Sequence, residues 1–174
     1  KLDGHHFFAR DLTRDYPLAV RGEGVWVYDN SGKRYMDACA GANVSAIGHG
    51  VKEIGEAMSK QAAEIAYAPP QHFLNQPTLD LCDKLVARAP EAYKRVMLCS
   101  SGSEAIENAL KIARQYHVYE GRASRFRLIS RGQGFHGNTL AAGAPGAPPR
   151  RRPITGPTRL DGAPTAPPPA ARRA

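Results

Sequence analysis

The sequence predicts an α/β layer architecture with a largely parallel sheet, and three observations carry that expectation. Short β-forming stretches alternate with stretches of 3.6-residue apolar periodicity along most of the chain. Residues 94–114, KRVMLCSSGSEAIENALKIAR, pass from an apolar strand through a small polar turn into a helix. From residue 141 the composition changes abruptly, so that only two strands follow residue 90 and the sheet reads as incomplete.

Each element has its own local reason. Residues 23–38 read as a hairpin: Val25, Val27 and Tyr28 favour extended backbone, Asp29-Asn30-Ser31-Gly32 supplies the turn, and Lys33 to Met36 returns. Residues 39–50, CAGANVSAIGHG, are small and glycine-rich and suit a tight backbone crossing. Residues 51–66 place Val51, Ile54, Met58, Ala62 and Ile65 on one helical face. A loop with two prolines follows, then a helix capped by Asn75, with Pro77 in its first turn and Pro90 beyond its end. Val96 to Cys99 form the next strand, and the helix after it carries Ile106, Ala109, Leu110 and Ala113 inward. Glu107 and Lys111 pair at i,i+4 on its outer face. Residues 125–130, RFRLIS, make a further strand, and 131–140 leave it and open a helix. Of the 34 residues from 141 to 174, 28 are Ala, Pro, Gly or Arg, which bury too little apolar surface to offset their ordering entropy; that tail is expected to be disordered.

Bulk properties exclude several function classes. The 174 residues suffice for one domain. Residues 1–140 carry 18 Lys and Arg against 15 Asp and Glu, so most of the net charge of +8 lies in the tail. No basic stripe with interleaved aromatics accompanies it, so no nucleic-acid face is expected. Arg122, Arg125, Arg127 and Arg131 read as a solvated strand flank. Cys39, Cys82 and Cys99 are odd in number and widely spaced, which argues against a disulfide framework or zinc site and for a reducing compartment, the cytoplasm. No apolar run approaches the ~20 residues of a membrane span, and the N-terminus does not read as a signal peptide. Its lack of an initiator Met suggests processing or a start inside a longer protein.

The candidate chemistry centres on Ser101-Gly102-Ser103-Glu104. Backbone N–H groups at a helix start, with serine hydroxyls beside them, suit a phosphate or carboxylate. The same residues also spell an ordinary capping box. Residues 132–137 spell G-x-G-x-x-G, but the strand before them is too polar for a central parallel strand. The acidic residue expected ~20 positions later has no counterpart except Asp161 in the proline-rich tail. Phe135-His136-Gly137 reads better as an aromatic platform for a planar cofactor, with a glycine that lets the backbone come close; a core Phe with a hydrogen-bonded His is the plainer alternative. Trp26, Tyr28 and the pair His5-His6 have only bland readings, and no nucleophile elbow exists.

Joined in order, these pieces resemble a known family. Gly22-Glu23-Gly24-Val25-Trp26, Asp29-x-x-Gly32-x-x-Tyr35-Met36-Asp37 and Ile47-Gly48-His49-Gly50 come first. Then follow Ser101-Gly102-Ser103-Glu104-Ala105-x-Glu107-x-Ala109-x-Lys111-x-Ala113-Arg114 and Phe135-His136-Gly137-Asn138-Thr139-Leu140. Over about residues 15–140 the chain resembles the N-terminal part of the class III (ω-) aminotransferases, enzymes of fold type I that depend on pyridoxal 5′-phosphate. The resemblance implies a partial fold-type-I transferase: residues 1–50 as an N-terminal segment of the small domain, 51–140 as the start of the large cofactor-binding domain with its mixed sheet, and 141–174 as a tail. It implies that Gly102 and Ser103 hold the cofactor phosphate with Ser101 beside them, that Phe135 stacks on the pyridine ring where Tyr is frequent in the family, and that His136 follows it in the pocket. It implies amine or amino acid and oxo acid substrates, and a homodimer with active sites at the subunit boundary, a state in doubt for a fragment.

The departures from that pattern bear on activity. Such a transaminase uses a lysine amine as nucleophile and proton carrier, and a carboxylate that keeps the pyridine nitrogen protonated. Lys111 is the last lysine here, and only Asp161 is acidic after Glu120. The expectation is therefore a truncated N-terminal part, inactive alone and prone to expose apolar faces. Alanine, proline, glycine and arginine share GC-rich codons, so a frameshift near Leu140 is one origin of the tail. The rival readings are a non-catalytic remnant with a basic disordered tail, and a dinucleotide-binding module using Gly132 to Gly137.

Overall fold

A three-stranded antiparallel sheet in the order β1–β2–β3 organises the first part of the molecule: β1 is Ala19–Glu23, β2 is Trp26–Asp29 and β3 is Arg34–Met36. The computed structural model describes residues 6–131, 134–146 and 165–166. Contacts divide the chain into two units, Lys1–Gln76 and Pro77–Ala174. The hairpin expected at 23–38 is present as β2 and β3, with Trp26 opposite Met36, Val27 opposite Tyr35 and Tyr28 opposite Arg34. β1 was not expected, because AVRGE has too little apolar alternation to stand out; it becomes a strand by pairing with β2. Arg21 lies over the Tyr28 ring at 3.5 Å and Arg34 over Trp26 at 4.1 Å, so exposed strand residues gain cross-strand cation–π contacts.

Asp29 holds the hairpin turn. Its Oδ1 accepts from Ser31 N (2.9 Å), Ser31 Oγ (2.6 Å) and Lys33 N (3.0 Å), and its Oδ2 accepts from Tyr35 OH at 2.8 Å. These bonds, with Ser31 Oγ the strongest influence, lower its pKa to about 2 against the opposing effect of burial. Beyond β3 the chain forms α1 (Ala40–Asn43), a single turn of left-handed backbone: φ is 47° at Ala40, 56° at Gly41, 62° at Ala42 and 70° at Asn43. Left-handed dihedrals cost roughly 1–2 kcal/mol per non-glycine residue, so this turn requires anchors. Asp37 provides them, its Oδ2 accepting from Ser45 Oγ at 3.1 Å and lying 3.0 Å from His49 Nε2. The tight crossing expected for residues 39–50 is present. His49 and Gly24 exchange backbone bonds of 2.8 and 3.0 Å, and a Cβ on Gly50 would lie 2.8 Å from the Gly22 carbonyl oxygen. The amphipathic segment that follows forms α2, Lys52–Glu64.

At the start of the second unit, α3 covers Gln76–Val86, its first residue the last of the first unit, with Asn75 just before it and Pro77 in its first turn. The long helix α4 runs Gly102–Tyr119. The strand expected at Val96 to Cys99 is not assigned: the segment has no ladder partner among the described residues, and an extended segment becomes a strand only where a neighbour pairs with it. The strand expected at 125–130 contracts to β4, Ser130–Arg131, which pairs in parallel with β5, Thr165–Ala166. Between them α5 covers Leu140–Gly146, so the segment expected to be disordered begins as a helix. Its remainder, residues 147–164 and 167–174, lies outside the described residues.

The fold is mixed α/β with little enclosed core. Among the described residues the only buried hydrophobics are Ala9 and Ala142. Ile54 and Met58 of α2, Ile65 just after it, Leu81 and Leu85 of α3, and Ile112 and Tyr116 of α4 are exposed. No helix among the described residues is long and apolar enough to cross a membrane.

Candidate functional site

Ser101 precedes α4 with extended backbone and acts as its N-cap, its Oγ accepting from Glu104 N at 3.2 Å. Glu104 reaches back, its Oε2 accepting from Ser100 N at 2.9 Å. The serine half of the capping box read from the sequence is thus formed, while Glu104 takes the N–H of the residue before the cap rather than that of Ser101. It leaves the helix start open, because the N–H groups of Gly102 and Ser103, the first two residues of α4, have no carbonyl within the helix to meet. Gly102 is exposed, and apart from its chain neighbours and its own helix backbone nothing lies within 4 Å of where its Cβ would be.

The loop carrying Phe135 meets this helix start. Ser103 Oγ accepts from Asn138 N at 2.9 Å, across 35 residues of chain. Gly137 packs so closely that a Cβ there would lie 2.9 Å from Ser103 Oγ, 3.0 Å from Ser103 Cα and 2.7 Å from Ala142 Cβ; its φ of +144° also disfavours a side chain. Phe135 is 74 % exposed. His136 is half-buried, and its Nε2 is enclosed without a hydrogen-bond partner. Ser103 is thereby joined to the segment that directly follows Phe135 and His136. Gly132 and Gln133 lie outside the described residues, and the helix after the G-x-G-x-x-G stretch begins only at Leu140.

One residue takes a role the sequence did not reveal. Glu107 does not act mainly as an outer-face partner of Lys111. Its Oε1 accepts from Thr139 Oγ1 and from the N–H groups of Ala141 and Ala142, each at 3.1 Å. The Thr139 hydroxyl and then these amides hold its carboxyl below the usual range against burial, and Lys111 contributes least. No local signal exposes this, because the partners lie more than 30 residues away. Glu107 also lines, with Cys99, Glu104 and Lys111, an open cavity of about 430 Å³. Among the described residues no three His, Cys, Asp or Glu side chains converge as metal ligands.

Open amides at a helix start, a hydroxyl beside them and an exposed aromatic residue on the adjoining loop are the parts required by a planar ring bearing a phosphate. Comparison with known proteins gives the family. A family model described as aminotransferase class-III matches residues 8–170. An uncharacterized aminotransferase of Schizosaccharomyces pombe is 43 % identical over 141 residues, covering 80 % of this chain and 31 % of its own. The acetylornithine aminotransferase of Agrobacterium fabrum is 40 % identical over 128 residues, covering 72 % of this chain and 31 % of its own. In structure, the adenosylmethionine-8-amino-7-oxononanoate aminotransferase of Methanocaldococcus jannaschii superposes with a TM-score of 0.88 at 30 % identity, over 97 % of this chain and 40 % of that one. An omega transaminase of Pseudomonas jessenii in complex with PMP gives 0.82 at 29 % identity, over 88 % of this chain and 34 % of that one. The chain thus spans about a third of the length of the curated relatives it matches.

Proposed function

The chain belongs to the class-III aminotransferase family, and from that premise we propose that it forms the phosphate-and-ring-binding part of a pyridoxal-phosphate-dependent aminotransferase acting on an amine or amino acid and an oxo acid. The observation that carries this reading is the Ser103–Asn138 bond, which ties the open start of α4 to the Phe135 loop. The amides of Gly102 and Ser103 and the hydroxyls of Ser101 and Ser103 bind the phosphate, because they are donors at the positive end of α4. Phe135 carries the ring on its exposed face. The enclosed, unpartnered Nε2 of His136 marks a polar group awaiting a partner in the same loop. When bound, the cofactor supplies the electron sink for amino-group transfer.

The 174 residues hold no lysine after Lys111 and no acidic residue after Glu120 except Asp161. We infer that this stretch by itself binds the cofactor without transaminating. The exposed apolar faces of α2, α3 and α4 fit a polypeptide that spans a third of its relatives. The domain assignment (1–50, 51–140, 141–174), assembly as a homodimer, a cytoplasmic location and a frameshift origin of the tail belong to the same proposal. Nucleotide sequence through the codons after Leu140 decides the last point.

Equilibrium titration with pyridoxamine 5′-phosphate, which forms no imine with stray lysines, tests the binding claim. Saturable binding that inorganic phosphate displaces and NAD does not is the expected result. Absence of binding, or tighter binding of NAD, sinks it. Far-UV circular dichroism on the same sample reports whether the helices are formed.

A further inference from the structure

We propose that Glu107 is a positioning residue: its carboxylate latches residues 139–142 onto α4 and so sets where the Phe135 ring stands relative to the open helix start. The inference rests on the function proposed above and goes beyond it to a residue that touches neither phosphate nor ring.

The geometry is specific. Two points on one side of α4 hold the returning chain. Near the helix start, Ser103 Oγ accepts from Asn138 N at 2.9 Å. One turn further on, a single oxygen of Glu107 gathers the Thr139 hydroxyl and the amides of Ala141 and Ala142. Together they fix four of the five residues from Asn138 to Ala142, directly after the Phe135-His136-Gly137 loop. Those two amides are the first N–H groups of α5 beyond Leu140, which the helix itself leaves unpaired. The charged acceptor thus caps α5 from a distance and strengthens each bond relative to a neutral acceptor. Ala142, at the latch, is one of two buried hydrophobic residues among those described. Ser103 completes the arrangement: its oxygen is occupied as an acceptor by Asn138, so its hydroxyl proton is directed elsewhere and remains free to donate to an anion.

The test uses the 174-residue chain, Glu107→Ala, and Glu107→Gln as the conservative variant that keeps an acceptor oxygen. Amide hydrogen exchange gives a readout independent of any cofactor. Ala141 and Ala142 are protected in the unaltered chain, lose protection in Glu107→Ala and regain part of it in Glu107→Gln. The second readout is the ratio of affinities for pyridoxamine 5′-phosphate and inorganic phosphate. Glu107→Ala lowers the first by about tenfold and leaves the second unchanged, because the amides at the start of α4 are untouched; a merely structural defect lowers both. Unprotected Ala141 and Ala142 in the unaltered chain, or an unmoved affinity ratio in Glu107→Ala, overturns the proposal. Protection of both amides without any binding of pyridoxamine 5′-phosphate by the unaltered chain sinks the cofactor reading and the positioning role with it, leaving the Glu107 contacts themselves standing.

Discussion

The hairpin turn at Asp29 and the start of α4 are both built from small polar residues around an acidic group, yet they end in opposite states. At the turn, one carboxylate meets four donors, all within six residues, and it is buried. At the helix start, Ser101 and Glu104 each take one N–H and leave the amides of Gly102 and Ser103 open, next to a loop that carries an exposed phenylalanine. A saturated polar cluster holds its own turn together, whereas an unsaturated one keeps donors available to a partner. The comparison separates structure from function in a chain where both regions carry family motifs.

The largest effect expected on this contrast comes from Gly137→Val. A side chain there would overlap Ser103 and Ala142 and sit at an unfavourable φ. Overpacking and backbone strain each cost roughly 1–3 kcal/mol. The loop should detach from α4, with loss of Asn138 amide protection and of cofactor affinity, while the Ser31 and Lys33 amides of the hairpin stay protected. Loss of protection at both places would show that the two regions are not independent. Next, Asp29→Ala removes the acceptor for four donors. Exchange at Ser31 and Lys33 should accelerate with no change in pyridoxamine 5′-phosphate affinity; a fall in affinity would undo the division of roles.

A smaller effect is expected from Ser101→Ala, which removes the N-cap at a cost of about 1 kcal/mol. Thermal unfolding should shift slightly, and phosphate affinity should fall only modestly, since the Gly102 and Ser103 amides remain. The smallest is a titration. The pKa of Asp29 is about 2 in the folded chain against ~3.9 when unfolded, so its stabilising contribution is complete above the unfolded value and disappears as pH falls through about 2. The Ser31 and Lys33 amide shifts should therefore titrate near pH 2; a midpoint near 4 would mean that the carboxylate is not bonded as described.

The cap at Ser101, the turn at Asp29 and the limits of α2 were legible in the sequence, because each depends on partners a few residues away. The pairing of SGSEA with the Phe-His-Gly segment was legible only through resemblance to a family, since no local rule joins residues 35 apart. Tertiary structure alone decided that AVRGE would become β1, that Val96 to Cys99 would meet no ladder partner among the described residues and that Ala40–Asn43 would turn left-handed. It alone turned Glu107 from Lys111 toward Thr139, Ala141 and Ala142. The reason is common to all four: a strand exists only with a neighbour, a strained turn only with anchors, and a carboxylate goes where the folded chain presents the most unpaired donors.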